Sequence, residues 1–125
     1  GHRFDGVIAA CKAQGTAVMA IRILAAGVLA TDVRHGREVV ITQGAELSLE
    51  QRRAHAVSTA LGDACGSRAQ TAVRFALSNP DIACAVIGLA EPSHLEEALA
   101  AQAMGPLPGE AMDRIEQVYA ANFGM

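Results

Sequence analysis

The chain has 125 residues, of which 51% are hydrophobic and 18% charged, so it is long enough for one globular domain and too apolar to be disordered. A net charge of −3 with scattered basic residues argues against a nucleic-acid partner, and the apolar runs are too interrupted for a membrane span. Three cysteines without CxxC spacing are typical of a reducing compartment, so we expect a cytoplasmic protein.

The first predicted elements are a short helix and a strand. Residues 5 to 14 place apolar side chains at helical spacing, with Asp5 as the predicted N-cap and Gly15 as the stop. Residues 17 to 24, AVMAIRIL, are nearly continuously apolar, which is typical of a parallel strand covered on both faces. Residues 83 to 88, ACAVIG, show the same pattern and predict a second strand.

A long connection and two helices are predicted between the strands. The connection contains several glycines, and its residues 38 to 42 are a candidate for a short extra strand. The sequences SLEQ, starting at Ser48, and SRAQ, starting at Ser67, match the capping box, so both predict helix starts. The second helix is expected over residues 68 to 77, before the sequence SNP.

Two more helices are predicted after the second strand. Pro92 indicates the first position of one helix and Gly105 its end, and a final helix begins near Pro108. Its predicted inward face consists of Met112, Ile115, Val118 and Tyr119. Parallel strands joined through helices belong to the α/β class. Because two strands make no stable sheet, we expect a partner chain or further strands of a larger protein to complete it.

Arg22 is the one arginine within the apolar run of residues 18 to 30. An unpaired guanidinium is costly to bury, so Arg22 must reach water, an acidic side chain or the negative charge of a ligand. If the strand alternates regularly, Arg22 shares a face with Val18, Ala20 and Leu24 near the strand's C-terminal end. The sequence leaves the three possibilities open.

Three segments of the chain resemble the aldo/keto reductase family. GTAVMAIRILAAGVLA is similar to its seventh strand, TAVRFALSNPDIACAVIGLAEPSHLEEALAA to its seventh helix, eighth strand and eighth helix, and MGPLPGEAMDRIEQV to its terminal helix. The resemblance is weakest over residues 31 to 66, an irregular connection plus a helix. It implies that residues 1 to 125 are the C-terminal portion of a (β/α)8 TIM barrel, incomplete alone because such a barrel needs about 250 residues.

The resemblance also implies reduction of aldehydes and ketones with a nicotinamide cofactor, NADP or NAD, bound at the C-terminal ends of the strands. The loop after the first strand would lie over the cofactor's pyrophosphate, through Arg22, Ile23, Leu24 and Gly27. The family's Ser-Pro-Leu turn is absent here, and Arg22 could substitute for it by a charge-assisted bond to phosphate. Alternatively, Arg22 pairs with a carboxylate from a neighbouring strand.

The turn after the second strand holds the adenosine end of the cofactor in the family. The matching residues are Gly88, Leu89, Ala90, Glu91, His94, Glu97 and Ala98. Without an Arg or Lys, and with an acid at Glu91, this turn would repel a 2′-phosphate, which favours the unphosphorylated cofactor. The competing interpretation is an ordinary acidic first turn that stabilises its helix dipole.

The family's catalytic Asp, Tyr, Lys and His motifs lie on earlier strands and have no counterpart in this sequence. We therefore predict no catalytic residue in the chain and expect it to be inactive alone, with Tyr119 a packed helical residue and Lys12 exposed. The four histidines lack HxxxH spacing, which argues against a metal site. Cys84, inside a predicted strand, is expected to be buried and unreactive.

Two functions of different classes remain open. In the first, the chain is the cofactor-side portion of a nicotinamide-dependent aldo/keto reductase and needs the N-terminal part of the barrel as its partner. In the second, it is a non-catalytic α/β module that self-associates to cover its sheet edges and has a structural or binding role. The substrate is not indicated by any residue of this chain.

Overall fold

The computed structural model describes residues 2–33 and 46–125. In chain order the elements are α1 (Asp5–Ala13), β1 (Met19–Ala20), α2 (Leu47–Leu61), α3 (Arg68–Leu77), β2 (Cys84–Ala85), α4 (Pro92–Met104), α5 (Gly109–Ala120) and a short 3-10 helix (Asn122–Gly124). The predicted order of helices and strands and the α/β class are confirmed. The candidate strand at residues 38 to 42 lies outside the described residues.

The two strands form a parallel pair, as the sequence predicts. Met19 lies opposite Cys84 and Ala20 opposite Ala85, and the Val86 N–H donates to the Ala20 carbonyl at 2.8 Å. Each strand is only two residues long, so the predicted ranges were too long. The first strand ends because the backbone turns into the left-handed region at Arg22, where φ is +58°.

Four of the described helices pack as two pairs, α2 against α5 and α3 against α4. The core cluster lies between α2 and α5 and extends into the segments that follow α2 and precede α5. It consists of Leu61, Cys65, Leu107 and Ala111, with Val57, Met112 and Ile115 packed around them. Tyr119 was predicted to face inward but is 43% exposed, and its ring contacts Phe123 edge-on at a centroid distance of 6.0 Å.

The start of α3 confirms one of the two predicted capping boxes. Ser67 Oγ accepts from the Gln70 N–H at 3.1 Å, and Gln70 Oε1 accepts from the Ser67 N–H at 3.0 Å. The other box was wrong, because α2 already begins at Leu47, so Ser48 lies within the helix. There the Glu46 carbonyl accepts from the backbone N–H groups one turn ahead, and the helix starts without a side-chain cap.

Further helix ends agree with the sequence in part. Pro92 occupies the first turn of α4, and Gly105 ends that helix with φ at +77°. Asp5 is not the N-cap of α1, a position held by Phe4. Its carboxylate instead accepts from His2 Nδ1 at 2.8 Å, which draws it away from the backbone donors of the helix.

The described part of the chain buries an arginine, at position 74 in α3. Arg74 is 8% exposed and donates to three backbone carbonyls, those of Gly105 at 2.9 Å, Cys65 at 2.9 Å and Pro106 at 3.1 Å. These bonds join the end of α4 to the connection between α2 and α3. The guanidinium thus donates hydrogen bonds to carbonyls beyond the ends of α2 and α4, which have no partner within those helices.

Several apolar side chains of the sheet region are exposed. Met19 and Ile21 are each 65% exposed and Val86 is 48% exposed. The prediction that Cys84 is buried was wrong, because nothing in the described residues covers this part of β2, and Cys84 is exposed while Cys65 is buried. Among the residues described, no helix has the length and hydropathy needed to cross a membrane.

Candidate functional site

The loop after β1, residues 21–33, has an unusual backbone. Arg22, Ala25 and Ala26 have φ values of +58°, +49° and +55°, and Gly27 has +86°. A residue with a Cβ atom costs roughly 1–2 kcal/mol in this left-handed region, so the three non-glycine residues together store several kcal/mol of strain. Such strain persists only where surrounding contacts impose it, and it is concentrated at functional sites.

Contacts inside the loop hold part of this conformation. The Gly27 and Leu29 N–H groups both donate to the Leu24 carbonyl, at 2.9 and 3.2 Å, and the Thr31 N–H donates to the Gly27 carbonyl at 3.1 Å. The Val28 side chain is 3% exposed and anchors the loop in the protein. The loop is therefore a compact turn rather than an extended continuation of β1.

Arg22 lies in this loop, two residues beyond the end of β1, and it is exposed. The expectation that it alternates on a strand face with Leu24 was wrong, because the backbone is no longer extended at Arg22. Because Arg22 is exposed, its charge is not buried in the core. The residue lies at the C-terminal end of a parallel strand. Ile23, Leu24 and Gly27, the other predicted residues of this loop, are half-buried.

The turn after β2 is exposed from Gly88 to Glu91. The Ala90 N–H donates to His94 Nδ1 at 3.3 Å, which uses this ring nitrogen as an acceptor. His94 Nε2 lies 4.0 Å from a carboxylate oxygen of Glu91. The first turn of α4 therefore presents an acid with a histidine beside it, and Leu89 next to them is 47% exposed.

Glu97 and Ala98 lie one turn further along α4 and are half-buried. Ser67 Oγ donates to Glu97 Oε1, and Gln70 Nε2 donates to the Glu97 carbonyl at 3.3 Å. One oxygen of this carboxylate is therefore committed to α3. The other is not engaged by these bonds.

The first turn of α3 connects the two groups of predicted site residues. Arg68 donates from Nη2 to the Val28 carbonyl at 2.8 Å and pairs through Nη1 with Asp32 Oδ1 at 3.0 Å, which secures the loop after β1. Ser67 and Gln70 contact α4 through Glu97. Sequence reasoning missed these three residues as part of the site, although the capping box marked the turn that carries them.

Both loops follow strands that run in parallel and are hydrogen-bonded to each other. The carboxyl ends of parallel strands meet at one edge of a sheet, which is where barrel and open α/β proteins bind their ligands. The eleven predicted residues lie on two sides of this edge. Four follow β1: Arg22, Ile23, Leu24 and Gly27. Seven lie in the turn after β2 and the start of α4: Gly88, Leu89, Ala90, Glu91, His94, Glu97 and Ala98.

Other polar groups lie elsewhere in the structure. Lys12 on α1 is exposed and pairs with Asp81 at 3.1 Å. His2 donates to Asp5 at 2.8 Å and lies 3.5 Å from a Glu116 oxygen, and its hydrogen bonds to these two acids raise its pKa above 6.5. In residues 2–33 and 46–125, no three His, Cys, Asp or Glu side chains are grouped so as to bind a metal ion.

Comparison with known proteins supports the resemblance seen in the sequence. The profile of the aldo/keto reductase family matches residues 4–120, whereas comparison with individual curated proteins gives no significant match. The family consists of oxidoreductases with a TIM-barrel fold that generally use nicotinamide cofactors. Its match spans both strands, their connecting helices and both loops of the candidate site. The chain therefore belongs to the aldo/keto reductase family.

Proposed function

We propose that this chain forms the cofactor-side portion of a cytoplasmic, nicotinamide-dependent aldo/keto reductase. The observation that carries the proposal is the pair of loops at the carboxyl ends of β1 and β2, connected through the first turn of α3. When bound, the cofactor exchanges a hydride with a carbonyl or alcohol carbon. This chain's own residues bind and orient it.

The loop after β1 fits the phosphate-bearing centre of a dinucleotide. Arg22 is an exposed cation at the strand end, and charge-assisted bonds from arginine to phosphate are among the stronger hydrogen bonds in proteins. The backbone that follows Arg22 is strained, and such strain is typical of loops that bind ligands. We assign Arg22, Ile23, Leu24 and Gly27 to this contact.

The turn before α4 fits an unphosphorylated ribose better than a 2′-phosphate. The Glu91 carboxylate is 64% exposed at the helix start, where it can accept from a ribose hydroxyl and repels a phosphate. His94 carries no permanent positive charge to offset it, and its Nδ1 already accepts from the Ala90 N–H. We therefore propose NAD rather than NADP as the preferred cofactor. The residues around its adenosine end would be Gly88, Leu89, Ala90, Glu91, His94, Glu97 and Ala98.

The exposed apolar residues of the sheet region support a larger barrel around this chain. Met19, Ile21 and Val86 are the kind of side chains that neighbouring strands and helices cover in a closed barrel. We propose that the N-terminal part of the barrel covers them and supplies the catalytic groups. The same exposure favours the second candidate, a self-associating module without catalytic function, if that part is never present.

A fluorescence titration of this chain with NADH and NADPH tests the proposal. Saturable binding of NADH and weaker binding of NADPH are expected. Replacing Arg22 with alanine should weaken NADH binding by roughly 1–3 kcal/mol, the cost of leaving a hydrogen-bonding partner unsatisfied. Arg114→Ala is the matched control, because this exposed arginine pairs with Glu110 on α5. Binding of neither dinucleotide would support the self-associating module instead.

Replacement of Glu91 tests the cofactor preference separately. Glu91→Gln removes the negative charge at nearly constant size, so the affinity for NADPH should rise while that for NADH stays level or falls slightly. Equal effects on both dinucleotides would contradict the assignment of Glu91 to the ribose.

A further inference from the structure

We infer that Arg68 is a positioning residue, which holds the loop after β1 in the conformation that the cofactor requires. The inference deepens the proposed function and rests on it. Arg68 lies at the first position of α3, outside both predicted groups of cofactor contacts. Its role follows from what its guanidinium binds.

Arg68 binds the loop after β1 at two points, one buried and one exposed. Nη2 donates to the carbonyl of Val28, the buried residue directly after the left-handed stretch, at 2.8 Å. Nη1 pairs at 3.0 Å with Asp32, whose side chain is 64% exposed at the far end of the loop. One side chain thereby fixes both the inner and the outer part of the second half of the loop.

The loop needs such a restraint because its own backbone opposes its conformation. Arg22, Ala25 and Ala26 all have positive φ, and without external contacts the chain would relax to the commoner right-handed or extended regions. The internal hydrogen bonds of the loop are local and would partly re-form in other turns. The Arg68 bonds are not local, since they join residues 40 and 36 positions apart in sequence.

The role of Arg68 is separable from the stability of the helices. Contacts between α3 and α4 include Ser67 and Gln70 bound to Glu97, and Arg74 bound to the end of α4. Arg68 is 23% exposed and is not part of the core cluster between α2 and α5. Its removal should therefore release the loop while the helices stay packed.

The same turn of α3 also fixes where the second loop lies relative to the first. Ser67 and Gln70 bind α4 at Glu97, and Arg68 between them binds the loop after β1. A dinucleotide that spans both loops therefore depends on the geometry of residues 67 to 70. Without the Arg68 bonds the loop would have to become ordered when the cofactor binds, and this entropy cost would lower the affinity.

Hydrogen exchange and NADH binding, measured on the same variants of the chain, test the inference. In Arg68→Ala, exchange of amides in residues 23 to 33 should be faster by roughly tenfold, and NADH affinity should fall by roughly tenfold. Arg68→Lys retains the charge with a single nitrogen and should lie between the two. Exchange in α3 and α4 should remain at the wild-type rate.

Arg53→Ala is the matched control. Arg53 is another partly exposed helical arginine that pairs with an acid, Glu50, at 2.9 Å. Like that of Arg68, its Nε is buried without a hydrogen-bond partner in the described part of the chain. It lies on α2 over the ring of Phe123, so its loss should leave both loop exchange and NADH affinity unchanged.

The outcomes separate this inference from the function beneath it. If wild-type chain binds NADH and Arg68→Ala binds it equally well, or if loop exchange is unchanged in that variant, the positioning role is overturned and the proposed function stands. If Arg68→Ala is globally less stable, the Arg68→Lys variant is used instead. Loop exchange as fast in Arg68→Lys as in Arg68→Ala would also overturn the positioning role. A wild-type chain that binds no dinucleotide overturns the proposed function and the positioning role with it.

Discussion

Replacement of Arg74 by methionine removes three hydrogen bonds and retains most of the length and apolar stem of the side chain. The bonds reach the carbonyls of Cys65, Gly105 and Pro106. Water can reach Pro106, which is exposed, and partly Gly105, whereas Cys65 is buried and its carbonyl loses its partner without replacement. A bond from a charged donor contributes roughly 1.5–3 kcal/mol, and the solvated carbonyls recover part of theirs.

The expected loss for Arg74→Met is therefore about 3 kcal/mol, a large part of the roughly 5–15 kcal/mol that stabilises a typical domain. Urea denaturation followed by circular dichroism measures it, and wild type and variant must be compared at equal protein concentration, since any self-association would also stabilise the folded state. With a typical slope of about 2 kcal/mol per molar urea, the midpoint should fall by about 1.5 M.

Two further variants sharpen this test. Arg74→Lys keeps the charge but presents one nitrogen where three are used, so its stability should lie between wild type and Arg74→Met. Arg114→Met removes an exposed arginine that pairs with Glu110 on its own helix and should cost under about 1 kcal/mol. If Arg74→Met also costs under about 1 kcal/mol, the three carbonyl bonds do not hold α4 in place and the reasoning fails.

Three further predictions concern the surface. Cys84 is exposed and Cys65 is buried, so a thiol reagent should modify Cys84 rapidly and Cys65 only on unfolding; an undiminished fast phase in Cys84→Ser would contradict this. The pKa of His2 is raised by its bond to Asp5, so its NMR titration midpoint should exceed 6.5 and fall in Asp5→Asn. The stability that this bond contributes is complete below pH 6.5 and disappears as the pH rises through the folded-state pKa, and a stability profile that rises over this range would refute it. Because Met19 in β1 is 65% exposed, sedimentation of the isolated chain should show association; a compact monomer that melts cooperatively would count against an incomplete barrel.

The order of elements could be predicted from sequence because its signals are local. The capping box at Ser67 needs only Gln70 three residues later, and Pro92 and Gly105 bound α4 through their own backbone preferences. The apolar runs likewise predicted two parallel strands. At Ser48 the same local pattern gave a wrong N-cap, because α2 begins at Leu47 and Glu46 is its N-cap.

Features that depend on distant contacts could not be predicted in this way. Arg74 binds carbonyls 31 and 32 residues away, and Arg68 binds a carbonyl 40 residues away. Neither separation leaves a periodic signal in the sequence. The strand at Met19 also ended early for a conformational reason, the positive φ at Arg22, which a run of apolar residues does not reveal.

The most direct test of the account is a hydrogen-exchange comparison of the wild-type chain with and without saturating NADH. A cofactor edge shared by both strand ends predicts that NADH slows exchange in residues 22–28 and in residues 88–98 together. Slowed exchange in only one of these segments, or protection confined to other parts of the chain, would contradict the claim that the two loops form one binding site.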